Sequence, residues 1–210
     1  MDVFKGLSVV SCGTMRRELT HLREEGFLEV ATLLFTSPGL HEWQPELRRQ
    51  LTRLVTKAGK ESDGVIVVYG ERCHLDPQDP SMDVDGLLRR QEVKALRVRA
   101  KNCVDMLADA EERRKAAAGD KVYWLTPGWL RYWDFIFKDY DRGKANETFG
   151  SYDRATLLDP FGAFDETALE SPEKILQISD FMRIPLEPYV VTLERLKGLL
   201  EDAARRLNPA

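Results

Sequence analysis

Cysteine and histidine are scarce in this sequence, which has only three of each among 210 residues. So few cysteines exclude a small scaffold held together by many disulfides, and an odd number leaves one without a partner. The first residues contain no charged stretch that leads into an apolar core, so we expect no secretory signal. These absences predict a cytoplasmic protein whose thiols serve as ligands or reactive groups.

Long apolar runs and an excess of basic charge are missing as well. The longest apolar runs, such as Ala31–Phe35 and Val65–Tyr69, have the length of strands and are far too short to cross a bilayer. The chain has 31 basic and 35 acidic residues, and no basic stripe with interleaved aromatic side chains stands out. We therefore expect a small molecule as the ligand, with neither a membrane nor a nucleic acid as a partner.

The sequence also lacks the motifs with which α/β proteins commonly bind nucleotides or cleave esters. The turn after the first predicted strand is Ser11-Cys12-Gly13-Thr14-Met15, which differs from the Gly-x-Gly-x-x-Gly of dinucleotide-binding proteins. There is no phosphate-binding loop that ends in Gly-Lys-Ser/Thr and no Gly-x-Ser-x-Gly nucleophile elbow. Dinucleotide, nucleoside-triphosphate and esterase functions are therefore not expected.

Short apolar runs alternate with amphipathic stretches, which is typical of βαβ units in a parallel sheet. We predict an α/β fold: a single three-layer, Rossmann-like domain over residues 1–210 with a mostly parallel sheet. The polar segment 74–82 is predicted to be an exposed loop insertion. The predicted strands are Leu7–Ser11, Leu28–Phe35, Val65–Tyr69, Lys94–Arg99, Lys121–Leu125, Arg154–Leu158 and Tyr189–Thr192. The predicted helices are Met15–Glu25, Glu46–Ala58, Val84–Arg90, Val104–Ala118, Trp129–Asp141, Pro172–Met182 and Leu193–Leu207.

All three cysteines and one histidine come shortly after predicted strands. Cys12, His41, Cys73 and Cys103 follow the first, second, third and fourth strands. Because the carboxyl ends of parallel strands meet at one edge, where such folds bind ligands, these residues can converge. Thiolate and imidazole suit zinc or an iron–sulfur cluster better than magnesium or calcium. We predict a metal site of the three cysteines, with His41 as the fourth ligand or a nearby acid–base group.

Several alternatives stay open for this group. With His41 as a ligand, the Cys₃His set is a structural zinc combination, whereas three thiolates with an open position resemble a catalytic zinc or a cluster with one free iron. His74, next to Cys73, is the alternative fourth ligand, although a surface loop is expected there. His21 lies in the first helix and is expected to be structural or exposed. In a protein without metal, Cys103 at its helix start would be the nucleophile of a thiol enzyme.

Three other residues are candidates for binding a substrate at the same edge. Trp129 begins an aromatic-rich helix and is predicted to form part of the pocket wall. Arg16 and Arg99 lie near the predicted thiol site, where they can offset thiolate charge or bind an anionic substrate. Lys101 lies close by in the sequence and has the same candidate role.

Five sequence elements in order resemble domain-of-unknown-function family 1638, over about residues 5–205. They are Ser11-Cys12-Gly13, Gly39-Leu40-His41 with Pro45-Glu46-Leu47, Tyr69-Gly70-Glu71-Arg72-Cys73, Asn102-Cys103, and Tyr123-Trp124-Leu125-Thr126-Pro127-Gly128-Trp129. The family's motif maps onto Cys12, His41, Cys73 and Cys103. This chain departs from it by an apparent one-residue insertion before Cys73, by His74 in place of a glycine, and by Asn102 in place of a common histidine.

The resemblance implies a role in one-carbon metabolism, because members of the family are often encoded near corrinoid-dependent methyltransferases for methylated amines. It implies a methyltransferase-like metalloenzyme whose partner is a corrinoid protein or a methyltransferase. Zinc bound by thiolates can activate a thiol acceptor, and a corrinoid methyl group is an electrophile in such transfers. The alternative is a non-catalytic accessory protein in which the metal only holds the loops together.

Overall fold

The computed structural model describes residues 3–76, 79–162 and 172–208. The chain divides into two compact units: unit 1 is Met1–Met106 with Glu194–Ala210, and unit 2 is Leu107–Leu193. This division does not test whether the units fold independently, so the single domain over 1–210 stays a prediction. In the described part of the chain, no helix is long and apolar enough to cross a membrane.

The architecture is mixed α/β and Rossmann-like, with mostly parallel sheets, as the sequence predicts. The parallel strands form two sheets. The strands are β1 (Leu7–Ser11), β2 (Leu33–Phe35), β3 (Gly64–Val68), β4 (Leu75–Asp76), β5 (Asp79–Asp83), β6 (Ala95–Arg97), β7 (Val122–Leu125), β8 (Arg154–Asp159) and β9 (Leu186–Val190). The helices are α1 (Arg16–Glu24), α2 (Gln44–Gly59), α3 (Val84–Arg89), α4 (Cys103–Leu107), α5 (Ala110–Ala117), α6 (Pro127–Arg131), α7 (Trp133–Ile136), α8 (Arg142–Phe149), α9 (Pro172–Met182) and α10 (Glu194–Leu207).

Unit 1 is built on a four-stranded parallel sheet with the order β2-β1-β3-β6. Strand β3 is buried on both faces, as expected for the apolar, mostly β-branched sequence Gly-Val-Ile-Val-Val. The chain goes from β1 to β2 on one side and then to β3 on the other. The order of the strands therefore reverses at β1 and β3, which is the position where open α/β sheets bind ligands.

Helices cover both faces of this sheet. On one face, α2 contributes the apolar stripe Leu47, Leu51 and Val55, which joins one core with Val65 and Val67 of β3. On the other face lies α10, since a Cβ added to Gly64 would stand 3.5 Å from Cδ2 of Leu207. Unit 1 thus has the three layers of helix, sheet and helix.

Unit 2 has a three-stranded parallel sheet with the order β7-β8-β9. Its core is rich in aromatic side chains, with the rings of Trp133 and Phe137 centred 4.1 Å apart and Phe149 buried beside them. Such rings contribute large apolar areas, which explains how a small sheet can form a core here.

Several predicted elements differ in extent from the observed ones. Strand β2 is shorter than Leu28–Phe35, because the preceding apolar residues are buried in a turn where the Leu28 amide donates to the Leu22 carbonyl. The predicted helices Val104–Ala118 and Trp129–Asp141 are interrupted. Asp109 interrupts the first as the N-cap that begins α5, and the second is divided at Tyr132 between α6 and α7. Helix α8, which begins after the N-cap Asp141, was not predicted.

The predicted loop 74–82 has more structure than an exposed loop. Its described residues include β4 and β5, which pair antiparallel. His74 and Met82 at its two ends are both 2% exposed. Residues 77 and 78 lie outside the described part of the chain.

Candidate thiol site

Cys12 lies in the middle of a row of three residues at the carboxyl edge of the unit 1 sheet. Ser11 pairs with Phe35 of β2 on one side and with Val68 of β3 on the other. One residue further along, Cys12 therefore stands between Thr36 and Tyr69. Cys12 and Tyr69 belong to the core on the α2 side of the sheet, so their side chains occupy the same face.

The Tyr69 side chain reaches across β1 to the far side of this row. Its hydroxyl forms a hydrogen bond with Oγ1 of Thr36, and Thr36 in turn donates to the carbonyl oxygen of Ser37 at 3.2 Å. Two strand spacings are about 9–10 Å, which a tyrosine and a threonine together can span. The phenol thus lies along the position of Cys12.

Burial and neighbouring sulfur both favour the neutral phenol. Tyr69 is 1% exposed. Its pKa is raised well above the ordinary value, first by burial and then by the negative charge that Cys12 would have as a thiolate. Tyr69 therefore remains a hydrogen-bond donor across the physiological pH range.

A second hydroxyl group contacts Cys12 from its own loop. Oγ1 of Thr14 donates to Sγ of Cys12 at 3.1 Å. The loop can pack tightly against the β2 loop because residue 13 is glycine: an added Cβ there would lie 2.6 Å from the carbonyl oxygen of Thr36. The loops after β1 and β2 are thus held against one another.

Cys73 ends a short 3₁₀ helix, Glu71–Cys73, that follows β3. Two backbone amides of this helix donate to the β6 loop: Glu71 to the carbonyl of Ala100 at 3.0 Å and Arg72 to that of Lys101 at 3.2 Å. This close approach requires glycine at position 70, where a Cβ would stand 2.4 Å from the Cα of Asn102. The segments that contain Cys73 and Cys103 are therefore joined by backbone contacts.

Cys103 is the first residue of α4, and the loop before it is fixed by side chains. Asn102 accepts the backbone amide of Asp105 at 2.9 Å, which is a capping contact at the start of α4. Asp105 accepts the amide of Lys101 at 2.9 Å and binds Arg195 of α10 through Oδ1 at 3.1 Å. Asn102 before Cys103 and Asp105 after it thus fix the backbone position of Cys103.

The three thiols lie close enough to influence one another electrostatically. The pKa of Cys73 is raised to about 12, first by burial and then by the negative charge that Cys103 and Cys12 would have as thiolates. Cys73 therefore lies near both Cys12 and Cys103, at the ends of β1, β3 and β6. At neutral pH, Cys73 is consequently a thiol in the protein without bound metal.

Arg97 is a residue of this neighbourhood that the sequence analysis missed. Its side chain is 10% exposed, and its guanidinium binds both carboxylate oxygens of Asp85 at 2.9 and 3.1 Å. Its positive charge lowers the pKa of Cys73 and offsets part of the effect of burial. The predicted Arg99 instead extends towards α10, 3.9 Å from Asp202. Arg97 is the last residue of β6, whereas Arg99 lies beyond the end of the strand. A charged residue within the short strand β6 was the signal for Arg97.

Gln44, at the start of α2, connects the β2 loop to the β3 loop. Its amide nitrogen donates to the carbonyl oxygens of His41 at 2.6 Å and Cys73 at 3.4 Å. Its amide oxygen accepts a hydrogen bond from Nδ1 of His74. The other ring nitrogen of His74 is buried without a hydrogen-bond partner among the described residues. Burial also lowers the pKa of His74, so the ring is neutral.

The other predicted site residues occupy different surroundings. The imidazole of His41 lies 3.3 Å from the carboxylate of Glu42, and its pKa is lowered by burial. Arg16 places its guanidinium 4.1 Å from the ring centre of Phe35, at the end of β2. Trp129 belongs to unit 2, where its ring packs 5.8 Å from that of Phe137. Lys101 contributes its backbone to the Cys73 segment.

The candidate ligands at this edge are thiols, as the sequence predicts, but their side chains do not form a metal-binding group. Among residues 3–76, 79–162 and 172–208, no three His, Cys, Asp or Glu side chains already have metal-binding geometry. Cys12, Cys73 and Cys103 are each partly buried and free of disulfides. The arrangement thus offers three nearby thiols, the Thr14 hydroxyl on one of them, and the charge of the Arg97 guanidinium in the neighbourhood of another.

Fold and site together define a Rossmann-like α/β protein with a thiol cluster at the switch point of a parallel sheet. The chain belongs to the family described as Protein of unknown function (DUF1638), whose model matches residues 35–200. His41, Cys73 and Cys103 lie within the matched range, whereas Cys12 precedes it. No curated protein and no solved structure matches the chain significantly.

Proposed function

We propose that Cys12, Cys73 and Cys103 bind zinc or an iron–sulfur cluster at the carboxyl edge of the unit 1 sheet. The observation that carries the proposal is that the segments with the three cysteines lie side by side at the ends of β1, β3 and β6, where the Cys12 amide donates to the Val68 carbonyl and the Arg72 amide to the Lys101 carbonyl. Three thiolates in one place repel each other, and a bound cation removes that repulsion and replaces the three protons. Because no three donor side chains among the described residues form a metal-binding group, the proposal requires the cysteine side chains to rotate into other staggered rotamers.

In this proposal the metal takes part in a reaction and is not required for folding. The loops that contain the cysteines are already joined without it, through the amides of Glu71 and Arg72 and through the Tyr69–Thr36 hydrogen bond. A metal that only held loops together would add little to these contacts. We therefore favour a site that leaves a coordination position open to a small molecule.

The substrate in this proposal is a small molecule of one-carbon metabolism, and a corrinoid protein or methyltransferase is the partner. That part rests on the resemblance to the family and on the known ability of thiolate-bound zinc to activate a thiol acceptor. His41 is proposed as a fourth ligand or acid–base group, and Arg16 and Arg99 as substrate contacts. The proposed location is the cytoplasm, where thiols stay reduced.

Elemental analysis and an absorption spectrum of protein purified without oxygen or chelator test the proposal. Stoichiometric zinc in a colourless protein, or iron with sulfide in a brown one, is the expected result. Cys12→Ser, Cys73→Ser and Cys103→Ser should each lose most of the metal. His21→Ala, which alters a partly exposed histidine of α1, should keep it and is the matched control.

Two results would contradict the proposal. Protein with no metal after anaerobic purification would overturn metal binding and favour the thiol enzyme with Cys103 as nucleophile. Global unfolding on removal of the metal would instead show a structural metal, because the binding energy of such a site is folding energy. The expected result is that the metal-free protein keeps its circular dichroism spectrum.

A further inference from the structure

Strand β6 forms one edge of the unit 1 sheet, and no strand of the described residues pairs with its outer side. On its inner side, next to β3, the Lys94 carbonyl accepts the Val65 amide at 2.9 Å. The backbone groups of successive residues point to opposite sides of a strand, so those of Ala95 and Arg97 face outwards. These two residues therefore present two amides and two carbonyls to an additional strand.

A groove of about 660 Å³ follows this open edge. Leu88 of α3 lines the groove from one face of the sheet and Leu207 of α10 from the other, with Ala95 and Leu96 of β6 between them. All four residues belong to unit 1. The walls of the groove are thus apolar, and the outer side of β6 forms its floor.

The rim of the groove is basic. Arg89 and Lys94 both line it, and neither has a carboxylate partner among the described residues. The other charged lining residues are already paired, in the ion pairs Arg97–Asp85 at 2.9 Å and Arg206–Asp202 at 3.0 Å. Two positive charges therefore remain beside the open strand, and they complement an acidic ligand.

The edge strand β9 of unit 2 is protected where β6 is not. The Pro185 carbonyl accepts the Ala155 amide at 2.8 Å, so by alternation Pro188 faces away from β8. Proline has no amide proton to offer to an added strand, and its place on such an outer edge prevents pairing. Strand β6 has the sequence Ala-Leu-Arg and is partly exposed, so its outer edge can pair.

We propose that the β6 edge of unit 1 binds an extended acidic segment of a partner protein, which joins the sheet as a further strand. Ala95 and Arg97 bind the backbone of this segment. Its apolar side chains pack in the groove beside Leu96, and its carboxylates lie near Arg89 and Lys94. A second copy of this chain is disfavoured, because it would bring the same basic rim against itself. The inference goes beyond the proposed metal site and does not depend on it.

A fluorescein-labelled peptide in which glutamate and valine alternate is the probe, and fluorescence anisotropy measures its binding to the full chain. We expect saturable binding, with slower hydrogen exchange of the Ala95 and Arg97 amides in the complex. A peptide of the same sequence with N-methyl groups on its central residues keeps the charge but cannot donate hydrogen bonds to the strand. Its affinity should be lower by at least about 10-fold.

Two variants of the protein test the backbone and the charge separately. Ala95→Pro removes an outward amide and leaves the pairing with β3 intact, so the affinity should fall about 10-fold. Arg89→Glu combined with Lys94→Glu reverses the charge of the rim. It should weaken binding of the glutamate peptide about 10-fold and strengthen binding of a peptide with lysine in place of glutamate. Lys57→Glu, at an exposed position of α2 outside the groove, is the matched control and should change neither affinity.

Three results would overturn the proposal. The first is the absence of saturable binding of the glutamate peptide. The second is equal binding of the N-methylated peptide, which would show attraction of charges without strand pairing. The third is a concentration-dependent dimer of the wild type that Ala95→Pro abolishes, because the edge would then belong to a second copy. If Ala95→Pro fails to fold, the comparison of the two peptides on the wild type decides.

Discussion

The Tyr69 hydroxyl reaches Thr36 across β1, so that one side chain connects the ends of three neighbouring strands above Cys12. The hydroxyl pair is buried and joins residues 33 positions apart in the sequence. Such a contact forms only after the sheet has assembled in its final register. The strand order and register of the unit 1 sheet therefore set the geometry of the thiol site.

Gly70→Ala should disrupt the junction between the β3 and β6 loops. Its backbone has an ordinary extended conformation, so the cost arises from the new Cβ, which meets the backbone of Asn102 at 2.4 Å. We expect a loss of about 2 kcal/mol in the free energy of unfolding, measured by urea denaturation. Gly198→Ala in α10 is the control: it meets no atom within 4 Å and should stabilise the protein by up to about 1 kcal/mol. Equal effects of the two substitutions would contradict the steric explanation.

Gln44→Ala should loosen the connection between the β2 and β3 loops. The change removes the donor to the His41 carbonyl and leaves His74 buried without a partner at Nδ1. An unsatisfied buried polar group costs about 1–3 kcal/mol, so the free energy of unfolding should fall by that amount. Gln177→Ala, on the exposed face of α9, should leave it unchanged. If urea denaturation gives no difference between the two variants, Gln44 does not hold the loops together.

Arg97→Met should both destabilise unit 1 and make Cys73 less reactive. The substitution removes the guanidinium that binds Asp85 and donates to the carbonyls of Val98 and Ala100, and we expect a cost of about 1–3 kcal/mol. Since Arg97 lowers the pKa of Cys73, its removal raises that pKa further and should slow alkylation of Cys73 by iodoacetamide at alkaline pH. Mass spectrometry of the alkylated peptide measures this rate. Arg99→Met, at an exposed ion pair, should change neither quantity, and a slower rate in that control would contradict the assignment.

Glu18→Gln should change how stability depends on pH. Glu18 is fully buried on the inner face of α1, and neither carboxylate oxygen has a partner in another described residue. Burial raises its pKa from 4.5 to about 7, so the folded state binds more protons than the unfolded state between these values. Stability is therefore lost as the pH rises through this range, by about 3 kcal/mol in all.

The test compares wild type and Glu18→Gln by urea denaturation at roughly pH 5 and pH 8. The variant should gain stability over the wild type at the higher pH and lose most of that advantage at the lower one. Glu24→Gln, on the exposed side of the same helix, should follow the wild type at both values. A stability difference for Glu18→Gln that is independent of pH would contradict the buried titration.

Local sequence patterns predicted the correct bounds for elements in which buried residues recur at a regular spacing. Helix Pro172–Met182 and strand Leu7–Ser11 have the predicted bounds, because their apolar spacing follows one period without interruption. The helix around Asp109 was predicted as continuous, since a capping aspartate inside an amphipathic stretch does not disturb the apolar pattern. Helix α8, which begins after the capping Asp141, was not predicted. Strand β2 was predicted too long for a related reason: buried turn residues and strand residues are equally apolar.

The sequence by itself determined which residues follow the strands, and therefore that Cys12, Cys73 and Cys103 come from strand ends. This information is local, because strand propensity and turn residues act over a few positions. Only the tertiary structure decided that β1 lies between β2 and β3, that Tyr69 meets Thr36 over Cys12, and that Arg97 rather than Arg99 acts on Cys73. Those relationships join segments far apart in the chain, and they depend on strand order and register, which no local pattern contains.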